Sequence, residues 1–218
     1  MNNQSPNLGS GTAPSLLLLT VFYGGMVTIA GVLGAKQVAL GPLAVEAGIF
    51  PFLLLISISS SVAELHGKPI ADRLARYGFV PLVGAILLSF LVLQLPTDPG
   101  MYEPAKAAFP IILGQSWRMM AAGIVAYGIS LTLNIWIFAR LRRSVGTVAP
   151  LRGFIAAACS QVVDTLIFIT ISFYGVRPIC ELMLGQMIAK LVLSAIMVPA
   201  VIWLVVRLGR RLDGVGVR

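Results

Sequence analysis

Asp164 stands near the middle of an otherwise apolar run, Gly153–Gly175, with Ser160 and Gln161 one turn before it. Residues three and four apart share a helix face, so the hydroxyl, the amide and the carboxylate lie on one stripe. Followed back by fours, that stripe passes Ala156 and reaches Arg152. In the next run, Ile179–Val206, Gln186 and Lys190 again stand four apart. A carboxylate beside amides accepts hydrogens from a flat polar ligand, and an ammonium donates them. Asp164 lies eleven residues before Gly175, and Lys190 eleven residues after Ile179. At a constant rise per residue the two reach one depth, and they are expected to meet. The plainer reading of the same residues is an ion pair that locks two helices. Both hold if a ligand competes for the pair.

Four further residues carry a polar group where lipid would surround an ordinary helix. Arg118 lies at the outer end of the run Trp117–Ala139, and Asn134 in its inner half. Glu64 follows Ser57, Ser59, Ser60 and Ser61 at the inner end of Ala47–Ala63, and His66 comes two residues later. An ionisable group at a helix centre costs roughly 2.5–3.5 kcal/mol on insertion scales, so each needs a pairing, a cavity or a task. An arginine near a helix end can also reach the interface. An asparagine can bridge two helices, and serines let helices approach closely. Near the interface Glu64 and His66 read as solvated polar residues unless they join a site.

The elements that must carry these residues are apolar runs. The chain has 218 residues, of which 58% are hydrophobic and 11% charged, and a mean hydropathy of +0.94. A soluble domain carries about a quarter charged residues. Six runs stand out: Leu16–Ala35, Ala47–Ala63, Phe79–Leu95, Trp117–Ala139, Gly153–Gly175 and Ile179–Val206. Lipid offers the backbone no hydrogen-bond partners, so the runs read as helices. Gly41, Pro42, Pro96, Pro99, Gly146, Pro150 and Pro178 punctuate them. The expected fold is an all-α integral membrane protein, a bundle of six transmembrane helices. It divides into a polar N-terminal tail (1–15), one six-helix transmembrane domain (16–207) and a basic cytoplasmic C-terminal tail (208–218).

Charge orients the bundle. Lys68, Arg73, Arg76, Arg140, Arg142, Arg143, Arg152, Arg207, Arg210, Arg211 and Arg218 fall on one side of this topology. Lys36, Lys106, Arg118 and Arg177 fall on the other. The positive-inside rule then makes both termini cytoplasmic. No Lys or Arg precedes Leu16, so the first run lacks the basic start of a secretory signal and is expected to stay as a helix.

Several classes are set aside. The net charge of +8 lies in short clusters between apolar runs rather than on one solvated face, which argues against nucleic-acid binding. Cys159, Cys180 and His66 have no partners at ligand spacing, so neither a disulfide, a metal nor another cofactor is expected. A lone histidine and a single helix-borne aspartate supply no nucleophile–base set, and an enzyme is not expected. No phosphate-binding loop appears, so any driving force comes from a gradient or a separate partner.

At these residues the chain resembles the queuosine-precursor transporter family, also called the vitamin uptake transporter family. The likeness runs from about Gly34 to Pro199. It rests on Gly34-Ala35-Lys36 with Ala47-Gly48-Ile49-Phe50-Pro51-Phe52, on Glu64-Leu65-His66-Gly67-Lys68, and on Arg118, Ala126-Tyr127 and Phe138–Arg142. Its most specific part is Arg152 followed by Ser160-Gln161-Val162-Val163-Asp164-Thr165-Leu166-Ile167-Phe168, then Lys190 and Pro199. Ser60 stands where the family often has an acid, and His66 where it has an aromatic.

The resemblance implies uptake of 7-cyano-7-deazaguanine (preQ0), or its aminomethyl relative preQ1, across a bacterial inner membrane. Its implied site comprises Asp164, Gln161, Lys190, Gln186, Arg118, Arg152, Ser160, Asn134 and Glu64. A deazaguanine shows a ring N–H beside an amino group, which one carboxylate can accept as a pair. Membrane lipid is the other expected partner, and a homo-oligomer is open. The alternative is a substrate-binding membrane subunit of an energy-coupling transporter, which needs an ATPase partner. A scaffold that binds nothing is the third reading.

Overall fold

The computed structural model describes residues 13–41, 43–114, 117–142, 148–175 and 179–214. Most of the polar N-terminal tail, with Pro42, Arg143, Gly146, Arg177, Pro178 and Arg218, lies outside the described residues. Among those described there are eight helices and one hairpin. They run α1 (Pro14–Gly34), β1 (Gln37–Leu40), β2 (Leu43–Glu46), α2 (Ile49–Leu65), α3 (Lys68–Tyr77), α4 (Phe79–Leu93), α5 (Glu103–Leu113), α6 (Trp117–Leu141), α7 (Ala149–Phe173) and α8 (Cys180–Leu212).

The molecule is an all-α membrane protein in architecture. Among the described residues, five stretches are long and apolar enough to cross a bilayer: Pro14–Gly34, Lys68–Leu93, Arg118–Leu141, Ala149–Phe173 and Met183–Leu212. Helix α2 is apolar but has only 17 residues, a rise of about 25 Å against the ~30 Å hydrocarbon layer. It also buries 12 of those residues, so it is wrapped by protein and its length answers to its neighbours. By contrast α4 buries none, and Leu87, Leu88, Phe90 and Leu91 are exposed. Apolar surface of this extent on a helix face fits lipid.

Helix α2 is the centre of the packing. Leu53, Leu55, Ile56, Ile58 and Val62 are buried in one core with Tyr23 of α1, Leu131 and Ile135 of α6 and Val198 and Ile202 of α8. Its serines are buried too, and they satisfy themselves. Ser57 donates to the Leu53 carbonyl at 2.8 Å, Ser59 to Ile56 at 2.9 Å and Ser61 to Ser57 at 2.7 Å. Such back-bonding gives these three buried hydroxyl protons an acceptor, while the small side chains admit close neighbours.

Three connections differ from simple loops. Residues 36–46 form an antiparallel hairpin with Gln37 opposite Glu46 and Leu40 opposite Leu43. The Lys68–Tyr77 connection is an amphipathic helix that buries Ala71, Leu74 and Ala75. Its apolar face packs inward and its basic residues stay outside. Residues 103–113 are helical as well. Helix α8 runs on to Leu212, into the residues expected as the basic C-terminal tail.

Gly67 joins α2 to α3 with φ 89° and ψ 159°, a region that only glycine occupies at low cost. Gly67→Ala should therefore destabilise the protein by about 1–3 kcal/mol. Thermal unfolding in detergent checks this, and an unchanged midpoint would contradict it. At the next joint, a Cβ on Gly78 would fall 1.8 Å from the Tyr127 hydroxyl. That hydroxyl donates to the Ala75 carbonyl at 3.1 Å and lies 3.0 Å from the Tyr23 hydroxyl. The α3–α4 joint is thereby fastened to α6 and α1.

Candidate functional site

Sequence places Asp164 two-thirds of the way along α7 and Lys190 about a third of the way along α8. Helix α7 packs most extensively against α6 and α8. The antiparallel run of α7 and α8 brings the two groups level. Lys190 Nζ donates to Asp164 Oδ2 at 2.9 Å, and both side chains are about one-tenth exposed. Ser130 of α6 places its Oγ 3.1 Å from Asp164 Oδ1. The same hydroxyl contacts the Ala126 carbonyl; with one hydrogen it serves one acceptor at a time.

This pair forms part of the wall of a cavity of about 150 Å³. Val27 and Gly31 of α1, Phe52 of α2, Tyr127 of α6 and Phe168 of α7 supply its apolar and aromatic walls. Gln186, Lys190, Asp164 and Glu46 supply its polar groups. An apolar cavity of similar size takes up benzene. Here the same room is bounded by aromatic side chains and by two carboxylates, an amide and an ammonium. That combination suits a small flat molecule with hydrogen-bonding edges.

Glu46 is the residue that sequence reading missed. It ends β2 and lines the same cavity, close to Gln186, Lys190 and Asp164. Its signal in the sequence is a lone acid in Leu43-Ala44-Val45-Glu46-Ala47, one residue outside the apolar run that begins at Ala47. Non-helical backbone at this depth is tolerated where it is covered by protein or lines a cavity. The hairpin does the second and packs against α8.

Six of the residues named from sequence do not line this cavity. Arg118 donates to the Ile171 and Tyr174 carbonyls at 3.2 and 3.0 Å. It satisfies the C-terminal end of α7, where free carbonyls and the helix dipole favour a cation. Asn134 donates to Ser60 Oγ at 3.1 Å and bridges α6 to α2. Ser160 donates to the Ala157 carbonyl of its own helix at 3.1 Å. Gln161 is buried, and neither amide atom has a hydrogen-bond partner among the described residues.

Glu64 and Arg152 form a separate, second level. Arg152 Nη2 donates to Glu64 Oε2 at 2.6 Å. Arg152 is 1% exposed and its guanidinium lies 4.6 Å above the Phe138 ring. Twelve residues separate Arg152 from Asp164, about 18 Å along a helix. The stripe thus carries two separate ion pairs on the buried side of one helix.

His66 also has partners. Ser15 Oγ lies 2.8 Å from His66 Nε2 and donates to Asp213 Oδ2 at 2.6 Å. The Ser15 backbone N–H donates to Asp213 Oδ1 at 3.0 Å. These bonds hold the Asp213 carboxyl below its usual range. Serine and carboxylate approach the same ring nitrogen, the carboxylate at 3.9 Å, which is not the order of a catalytic triad. The cluster ties the first turn of α1 to the ends of α2 and α8.

Comparison with known proteins agrees with this architecture. The profile of the family described as "Putative vitamin uptake transporter" matches residues 46–204. A protein of Bacillus subtilis (strain 168) named "Probable queuosine precursor transporter" is 24% identical over 186 residues, covering 83% of this chain and 80% of its own length. No solved structure matches. With a family match over most of its length, beginning at Glu46 and enclosing Asp164 and Lys190, this multi-pass bacterial membrane protein belongs to the vitamin uptake transporter family.

Proposed function

We propose that the chain imports a queuosine precursor, preQ0 and also preQ1, across the inner membrane, and that the ligand binds in the cavity at Asp164, Lys190, Gln186 and Glu46. The observation that carries this reading is the Asp164–Lys190 pair in the wall of a cavity sized for one small flat molecule. The name of the Bacillus subtilis relative supports the ligand class. Uptake by the chain alone, driven by a gradient, fits alternating access around a mid-membrane site. In proteoliposomes holding only this protein, labelled preQ0 should accumulate with time. Uptake only after an ATPase module is added would instead make the chain a substrate-binding subunit.

The topology proposed with it has six passes, α2 included, and both termini in the cytoplasm. The basic residues of α3 and of the end of α8 support that orientation. Single cysteines at Glu103 and Arg73, in a background without Cys159 and Cys180, test it. An impermeant reagent on intact cells should label position 103 and spare position 73. The reverse pattern would invert the orientation, and labelling of both or neither would change the number of passes.

A further inference from the structure

Two carboxylates face one ammonium in the cavity, and they are not equivalent. Asp164 has one oxygen on Lys190 and the other on Ser130. Glu46 forms no ion pair among the described residues, yet it stands in the cavity wall beside Gln186, Lys190 and Asp164. Gln186 Nε2 is buried with no hydrogen-bond partner of good geometry, although that carboxylate is its neighbour. The cavity therefore holds a carboxylate that no ion pair engages among the described residues and, beside it, an amide donor that no protein acceptor takes up in good geometry. Buried polar groups of this kind are costly unless something binds them.

We infer that Glu46, rather than Asp164, reads the ligand's hydrogen-bonding edge, and that this edge is the amino group, ring N–H and carbonyl of a 2-amino-4-oxopyrimidine ring. The inference rests on the cavity being the ligand site. The Glu46 carboxylate accepts from the amino group and the ring N–H together, a charge-assisted paired contact. The Gln186 amide donates to the neighbouring ring carbonyl. Asp164, Lys190 and Ser130 then form the frame on which this reader is held, with Tyr127 and Phe168 as apolar walls. The backbone supports such a task. Glu46 is paired with Gln37 in the hairpin register, and the next amide, Ala47 N–H, donates to the Lys36 carbonyl at 2.8 Å. The carboxylate is thus presented from a fixed main chain.

The test compares purified wild type, Glu46→Gln, Glu46→Asp and Asp164→Asn, each checked for an unchanged elution profile and unfolding midpoint. The probes are 7-deazaguanine, 7-deazahypoxanthine, which lacks the amino group, and pterin, which carries the same edge on a different bicycle. Wild type should bind 7-deazaguanine roughly ten- to a hundredfold more tightly than 7-deazahypoxanthine, the range of a charged hydrogen bond. Glu46→Gln should erase that ratio, Glu46→Asp should keep its direction, and Asp164→Asn should weaken both ligands equally. A ratio that survives Glu46→Gln, or is erased by Asp164→Asn, overturns the inference while the transport reading stands. A shift in the pH profile of uptake alone, with the ratio intact, also overturns it and makes Glu46 a proton carrier. Glu46-dependent binding of pterin without binding of 7-deazaguanine upholds the inference and removes the queuosine reading. Binding of neither by wild type removes both.

Discussion

Asp164→Ala should destabilise the bundle by about 3–5 kcal/mol, whereas Asp164→Asn should keep the fold and lose uptake. The alanine leaves Lys190 buried beside an empty space, and removing one member of a buried ion pair strands the other charge. The asparagine still offers an oxygen to the lysine and the Ser130 hydroxyl, and a neutral amide is cheaper at this depth than a carboxylate. Unfolding midpoints in detergent separate the two variants, and uptake into proteoliposomes should be at background for both. Lys190→Ala combined with Asp164→Ala should lose less stability than the two single losses added, because the groups touch. Strict additivity would mean that they do not couple, and near-normal uptake by Asp164→Asn would remove Asp164 from the site.

The second large effect is expected at the other ion pair. Glu64→Ala should cost about 3–5 kcal/mol, because it leaves the Arg152 guanidinium buried without its carboxylate. The Phe138 ring beneath it returns only ~0.5–2 kcal/mol of that. Replacing both partners with apolar residues of similar volume, as in Glu64→Leu with Arg152→Met, should restore most of the stability. Uptake then decides the role of the pair. A stable double variant that still transports makes Glu64 and Arg152 a lock between α2 and α7. A stable double variant that does not transport makes them part of the substrate's route. A double variant no more stable than Glu64→Ala would refute the stranded-charge account.

The helices were legible because lipid imposes one rule on every span, and Asp164 and Lys190 were legible because that rule makes an intramembrane charge conspicuous. Equal depth followed from counting residues inward from two helix ends. The other residues named from sequence lie outside the cavity, because the count gives depth and face but no partner. Arg152 is buried on α7 as Asp164 is, yet helical rise sets it three turns away. Arg118 is at the right end of α6 to meet a ligand, yet the free carbonyls of α7 are closer to hand. Glu46 was hidden for the opposite reason. Its depth comes from a hairpin folded back between α1 and α2, and no helical count along the chain leads there. The α3 helix was also missed as an element, since its basic residues read as loop charge until Ala71, Leu74 and Ala75 are seen to be buried on one side.

The hairpin bears on the order of assembly. Each apolar helix satisfies its own backbone and can enter the bilayer as it is made. A two-stranded ladder cannot, because its outer edges present main-chain groups that lipid will not solvate. Residues 36–46 precede α8 by more than a hundred residues, yet α8 is the helix that packs against β2. Until the last helix has been synthesised and docked, the strand bearing Glu46 has no covered place at depth and must wait at the aqueous surface. A chain stopped before Cys180 would therefore carry Glu46 and Asp164 but lack Gln186 and Lys190, and the cavity would want the wall that covers the hairpin.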